Sequence, residues 1–554
     1  MGVVLGCHSR KKCSQGELNL LRINEISVPL GSDVQEIKKQ AAEILGIPVS
    51  AVKELEIARE SIDSRKRNNI KMIYSVNIVT DLNEEAIALK FPENKVHLCE
   101  RYVYSMPENK RTSVFRPVIA GFGPAGMFAA YILASAGLSP LVLERGNDVD
   151  TRTRDVYGFW NTRRLNTSSN VQFGEGGAGT FSDGKLTTGI KDSRCRYVLE
   201  TLNKFGAPEQ ILYSSHPHIG TDRLVDVVKN IRQEIIRLGG EIRFGCCLTD
   251  IYKANGYIQG ISYKDANGSI YDMETDCLLL CIGHSARDTV EMLYSHGIRM
   301  EQKPFSVGVR IEHPQELINK ALFGDKWNDP RLGAANYKLA NHSAHCRGAY
   351  TFCMCPGGTV VCAPSEEDMV VVNGMSYLAR DGENANSAIL VGIEPEHFMS
   401  DHPLAGIAIQ RDMERRAFTE GGSDYTAPGQ TVGDFLKGHG SRRLGSVKPT
   451  CPTGVNPTDI RRVLPVAVTD SIAQAITAFD KKLSGFALPD AVLTAPESRS
   501  SSPVRIIRDE LRQSSIKGIF PCGEGAGYAG GIVSAAVDGI KCAEAVLEDE
   551  FNDC

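Results

Sequence analysis

FRPVIAGFGPAGMFAAYILASAGLSPLVLERG, residues 115–146, decides the fold. It reads as strand, glycine turn, helix and second strand. The first strand is expected at Val118–Ala120. The helix is expected from about Pro124 to Ala136, with Pro124 at its first turn and Gly137 as its stop. Pro140 then introduces the strand LVLER. Together these form a βαβ unit of roughly thirty residues.

Within it, Gly121, Gly123 and Gly126 make G-x-G-x-x-G. The hexapeptide alone is weak; its position between an apolar strand and a helix gives it weight. Gly121 permits the tight turn, Gly123 lets a pyrophosphate approach the backbone, and Gly126 lets helix and strand pack closely. Pro124 and Ala125 open the helix, whose free N–H groups suit phosphate. Glu144 stands 23 positions after Gly121 (144 − 121), where a carboxylate can accept from ribose hydroxyls. Arg145 follows it.

The spacing cannot separate FAD from NAD, but three further glycine stretches point to FAD, whose long slot needs more backbone donors. NVQFGEGGAGTFSDGKL, 170–186, holds Gly174, Gly176, Gly177, Gly179 and Gly184. CIGHSA surrounds Gly283, and CGEGAGYAGGIVSA spans 522–535. Such density implies sharp turns or backbone pressed against something.

GFGPAG…LERG, LLLCIG and GIFPCGEGAGYAGGIVSAAVDG resemble the glutathione-reductase-type FAD fold in its single-dinucleotide-domain form. GEGGAGTFSDGKL, CIGHSARDT, YTFCMCPGG, VNGMSYLARDGENANSA and SSPVRI resemble the uncharacterised FAD-dependent dehydrogenases, NAD(P)/FAD-dependent oxidoreductases with an FAD-dependent-protein C-terminal domain. The resemblance covers nearly the whole chain. It implies that Gly176, Gly177, Thr180 and Lys185 lie in a second flavin loop. Lys185 is there either to neutralise phosphate or flavin charge, or as a surface ion-pair partner. It implies adenine contact at Leu248 on the strand RFGCCLTDI. It also places Gly523 and Glu524 near ribitol and pyrophosphate, with glutamate where the family usually has aspartate. Gly531, Ile532 and Ser534 would begin a helix aimed at the flavin's pyrimidine end.

The fold class is therefore α/β: an FAD-binding Rossmann domain with an inserted α+β domain and a small N-terminal α+β domain. The expected divisions are 1–110, 111–300, 301–490 and 491–554, the second and fourth together binding FAD. In the N-terminal part, ELNLLRINEISVPL, VKELEIARESID and IKMIYSVNIVTD read as strands. SDVQEIKKQAAEILGI reads as a helix capped by Ser32 or Asp33. The loop SRKRNN reads either as a phosphate contact or as a solvated hairpin tip.

His284 is the first candidate for acid–base work, because histidine titrates near neutrality and follows Gly283 at a strand end. A structural hydrogen bond is its other reading. Arg287, Arg310 and Arg347 could clamp a carboxylate or serve as ion-pair partners. Cys346, Cys353, Cys355 and Cys362 fall within seventeen residues. The C-x-C of Cys353 and Cys355 falls short of metal-type C-x2-4-C pairs, and no metal is expected. A redox pair and buried thiols are the readings left.

No second G-x-G-x-x-G follows residue 126. NAD(P)H is then either a transient electron donor without that fingerprint, or absent while the substrate supplies electrons. The expected function is hydride transfer between FAD and a small-molecule substrate. The alternative is a non-catalytic flavin-binding sensor or assembly protein.

The 554 residues exceed one ordinary core. Hydrophobic residues at 42% and charged residues at 23% fit a globular chain. A net charge of −5 argues against a nucleic-acid partner, which needs a basic face. No apolar run approaches the roughly 18–20 residues that span a bilayer. At the N-terminus, Gly2 suggests myristoylation, but Gly6 stands where Ser or Thr is required. Cys7 is the one candidate for lipid attachment. The sixteen cysteines lack an export signal, so thiols and a cytoplasmic location are expected.

Overall fold

A computed structural model describes residues 20–342 and 347–549. The readings at Gly2, Gly6, Cys7 and Cys346 fall outside them. The described residues form two compact units, 20–104 with 212–215, and 105–211 with 216–342 and 347–549. Parallel and antiparallel sheets are both present, giving a mixed α/β fold.

In the first unit the strands run Val52–Asp63, Lys71–Thr80, Leu20–Pro29, Val96–Cys99 across one antiparallel sheet. The helix Val34–Leu45 buries Ile37, Ala41, Ala42 and Leu45, a spacing that puts them on one face. They pack with Leu21, Ile23, Ile26 and Val28. Asp33 caps the helix by accepting from the Glu36 N–H at 2.9 Å, and Gly46 ends it in the left-handed conformation.

The second unit centres on a five-stranded parallel sheet. Its order is Ile519–Pro521, Leu278–Leu280, Val118–Ala120, Leu141–Leu143, Glu241–Arg243. Every residue of the three middle strands is buried, as parallel strands covered on both faces require. The helix Pro124–Ser135 buries every residue from Ala125 to Ala134, because helices Thr221–Arg237 and Ile532–Glu548 flank it. Small residues allow that crowding: a Cβ on Gly539 would lie 2.1 Å from the Ala125 carbonyl oxygen.

RFGCCLTDI, expected as one strand, is divided. Glu241–Arg243 ends the parallel sheet, and Cys247–Ala254 begins a three-stranded antiparallel sheet. Gly245, at φ 64°, makes the break. Gly245 is the one local sign of the turn, and a single glycine within a strand pattern is equally compatible with an unbroken strand.

A seven-stranded sheet comes mostly from 305–497. Its order is Ala340–Asn341, Ala349–Cys355, Asn384–Ile393, Phe305–Pro314, Val492–Glu497, Ala427–Thr431, Val455–Pro457. Only its last pair is parallel. No helix of the described residues is long and apolar enough to cross a membrane.

Candidate functional site

The first glycine turn is held from both sides. Gly121 has φ 98°, and a Cβ there would sit 2.4 Å from the Cys281 carbonyl oxygen, so only glycine fits. A Cβ on Gly126 would lie 2.0 Å from the Gly121 oxygen. Gly123 is the N-cap of Pro124–Ser135 and supplies no side-chain cap, leaving that terminus open. Glu144 accepts from three backbone N–H groups: Phe122 at 2.7 Å, and Gly146 and Gly174 at 2.9 Å each. It thus ties the first turn to the second glycine stretch, using three of its roughly four acceptor positions.

The second stretch lies backbone against backbone on the first. The Gly176 N–H donates to the Phe122 carbonyl at 2.9 Å. A Cβ on Gly177 would come 3.0 Å from the Gly123 Cα. Arg152, fully buried, threads the stretch and donates to the carbonyls of Asn170, Val171, Glu175 and Gly177 at 2.7–2.9 Å. Burial lowers its pKa to about 10. Sequence reading missed Arg152, since nothing local marks a helical arginine for this task.

The other two stretches converge on the same place. A Cβ on Gly525 would lie 2.6 Å from the Gly283 carbonyl carbon, and one on Gly523 2.8 Å from the Ala125 Cβ. The Gly523 N–H donates to Asp538 at 2.8 Å. Ile532–Glu548 begins at Gly531, again without a side-chain cap. A Cβ on Gly179 would lie 3.1 Å from the Ile532 Cγ1.

Together they enclose a cavity of about 450 Å³. Of the expected residues, Gly121, Gly123, Pro124, Ala125, Glu144, Arg145, Gly177, Lys185, Leu248, Gly283, His284, Cys353, Glu524, Gly531 and Ile532 line it. Gly126, Gly176, Thr180, Gly523, Ser534, Arg287 and Cys355 do not. Most of these shape the walls from behind. The Thr180 hydroxyl donates to the Glu175 carbonyl at 3.2 Å, and the Ser534 hydroxyl to the Gly531 carbonyl at 3.1 Å. The far wall includes Thr351, Phe352, Asn373, Glu497 and Arg499, none of which carries a spacing signal in the sequence.

Arg287 is not available to clamp a substrate. It is buried and pairs with Glu414 at 2.8 Å and with Glu366. Those carboxylates hold its pKa above the usual arginine value despite burial. Arg310 is likewise buried against Glu497 at 2.5 Å. Arg145 pairs with Asp288 at 2.9 Å and stacks over the Phe173 ring at 4.4 Å.

His284 faces Glu524, Nδ1 to Oε1 at 3.2 Å, while its Nε2 is buried without a partner. Lys185 Nζ lies 3.1 Å from Asp183 and donates to the Met354 carbonyl, which brings it beside Cys353 and Cys355. Cys362 sits apart on Thr359–Cys362, its thiol donating to the Tyr425 carbonyl at 3.6 Å.

Two open helix N-termini, a cradle of glycines and one orphaned ring nitrogen fit a long, anionic, hydrogen-bonding ligand. The donor set suits a dinucleotide such as FAD. The volume lies within the range of cofactor pockets.

Residues 304–500 match the model "FAD-dependent protein, C-terminal domain-like", and residues 20–79 match a domain of unknown function, DUF8436. An uncharacterized protein of Clostridium beijerinckii is 48% identical over 531 residues, covering 95% of this chain and 98% of that one. Among solved structures, a geranylgeranyl bacteriochlorophyll reductase-like protein of Thermoplasma acidophilum aligns at 12% identity. Its TM-score is 0.35, and the match covers 78% of each chain. The E. coli quinol fumarate reductase FrdA aligns at 11% identity and TM-score 0.35, covering 79% of this chain and 72% of that one. Both likenesses are loose.

Proposed function

Because the chain belongs to the family of FAD-dependent proteins carrying the C-terminal domain matched at 304–500, we propose that it is an FAD-dependent oxidoreductase. It would transfer a hydride between flavin and a small-molecule substrate, with NAD(P)H as the transient electron donor. One observation carries this reading: four glycine stretches and two uncapped helix N-termini share one cavity. The proposed layout is glutathione-reductase-type, with 111–300 and 491–554 binding FAD and 301–490 inserted.

Gly121, Gly123 and Gly177 would admit the pyrophosphate, and Glu144 would receive ribose hydroxyls at its remaining acceptor position. Leu248 would pack on adenine, and Gly531 and Ile532 would meet the pyrimidine end. FAD bound in this way supplies a two-electron carrier.

The chain's own residues would do the rest. The partial positive charge at the N-terminus of Pro124–Ser135 favours phosphate, and that of Ile532–Glu548 favours negative charge opposite it. Glu524 stands 3.2 Å from His284 Nδ1, and Nε2 has no hydrogen-bond partner, so Nε2 would be the position that exchanges a proton with a substrate. Ile282, Val371 and Val372 give part of the wall an apolar surface that excludes water.

The test is reconstitution followed by anaerobic reduction. Purified protein should carry or take up FAD, and NADH or NADPH should bleach it. Protein that stays colourless after incubation with FAD would sink the reading. Bound flavin indifferent to both nicotinamides and to other reductants would favour the sensor.

A further inference from the structure

Ala349–Cys355 carries two thiols on one face of a strand, at Cys353 and Cys355. In a regular strand, side chains two residues apart are separated by about 6.6 Å. A disulfide needs Cβ atoms about 3.5–4.5 Å apart, so regular C-x-C in a strand cannot close.

This strand is not regular there. Its pairing with Asn384–Ile393 slips between Phe352 and Cys355, placing one extra residue on the cysteine-bearing strand. Cys353 takes φ 40°, in the left-handed region that side chains rarely adopt. The kink folds the Cys355 side chain back on its neighbour, its thiol donating to the Cys353 carbonyl at 3.2 Å. Backbone of this kind persists only where its surroundings enforce it.

The surroundings are built for a thiolate. Cys353 is half-buried and lines the cavity, while Cys355 is buried out of reach of it. Arg310 Nη1 reaches the Cys353 carbonyl at 3.0 Å and the Cys355 sulfur at 3.7 Å. Lys185 stands on the other side, tied to the Met354 carbonyl between them. Asp183 and Glu497 are the acids facing this group, and each is paired, with Arg380 and Arg310 respectively.

We propose that Cys353 and Cys355 are a redox dithiol of the cavity that reduces a small-molecule disulfide, Cys353 attacking and Cys355 resolving. The Cys353 thiolate attacks one sulfur of R–S–S–R, the S–S bond breaks, and R–S⁻ leaves to take the proton that Cys353 gave up. Cys355 then attacks the Cys353 sulfur of the mixed disulfide, and its proton goes to the second departing R–S⁻. The sum is dithiol plus R–S–S–R giving protein disulfide plus two R–SH, with two electrons passed to the substrate. The adjoining Cys355 thiol, Lys185 and Arg310 hold the Cys353 thiol below the usual thiol range, while Cys353 and burial push Cys355 above it. This exchange needs no flavin, so it stands or falls apart from the FAD reading.

The probe is oxidised glutathione, added to reduced full-length protein, with alkylation and peptide mass spectrometry afterwards. A Cys353–Cys355 disulfide is expected, with two glutathione thiols released. Cys355→Ser should trap glutathione on Cys353, and Cys353→Ser should trap none at 355. Both thiols remaining fully alkylatable, or glutathione settling on Cys355 in the C353S protein, overturns the proposal. Should either variant fail to fold, wild-type protein decides. At pH 6, iodoacetamide should label Cys353 at least tenfold faster than any other described cysteine, and equal rates overturn it.

Discussion

The Glu144 carboxylate accepts the Phe122 N–H at 2.7 Å, and through its other oxygen holds Gly146 and Gly174. A residue placed by spacing as a ribose ligand is therefore also the clasp that fixes two glycine turns to each other. It acts before any cofactor arrives.

Glu144→Gln should expose that double role. An amide has one oxygen, so one buried N–H would face an NH2 group. An unmet buried donor costs about 1–3 kcal/mol. Urea unfolding should shift downward by that amount, and FAD uptake should weaken as well. Unchanged unfolding alongside weakened uptake would mean the clasp is dispensable.

Gly123→Ala and Gly177→Ala should separate cofactor fit from folding. A Cβ on Gly123 meets the Gly177 Cα at an ordinary 3.6 Å, and its φ is −76°. The variant should fold normally and bind FAD at least about tenfold more weakly, a loss of about 1.4 kcal/mol. Gly177 has φ 62° and only 3.0 Å to the Gly123 Cα. Its alanine variant should lose thermal stability as well. Titration of apoprotein with FAD and thermal melts read the two effects.

Arg152→Lys keeps the charge and removes the planar fork. Lysine cannot reach four carbonyls at once, and the carbonyls left without a donor are buried. A loss of about 2–4 kcal/mol in urea unfolding is expected. Loss of flavin from the folded fraction should accompany it, since the second glycine stretch hangs on this side chain.

His313 makes the stability depend on mild acid. It is fully buried, and its Nε2 hydrogen-bonds the Phe486 carbonyl at 2.7 Å. Burial lowers its pKa to about 4. The unfolded chain titrates near 6.5, so below that pH it binds a proton that the folded chain refuses. Its contribution is complete above about 6.5 and is lost as pH falls toward 4, by about 3 kcal/mol. His313→Asn should flatten the urea midpoint between pH 7 and 4.5; an equal slope in both proteins would discard the assignment.

The sequence alone determined the βαβ unit, its glycine turn and a helix capped by Ser32 or Asp33, and it singled out Glu144 by its spacing. These depend on residues within about thirty positions, where strand and helix periods and glycine spacing are local signals. Only the tertiary structure decided that Arg287 is bound to Glu414, that Arg152 holds the second glycine stretch, and that Glu524 faces His284. It alone bent the strand at Cys353 and set Lys185 beside the thiol pair. Most of these contacts join residues a hundred or more positions apart. Sheet register and helix packing bring such partners together, and neither is written in the period of a single segment.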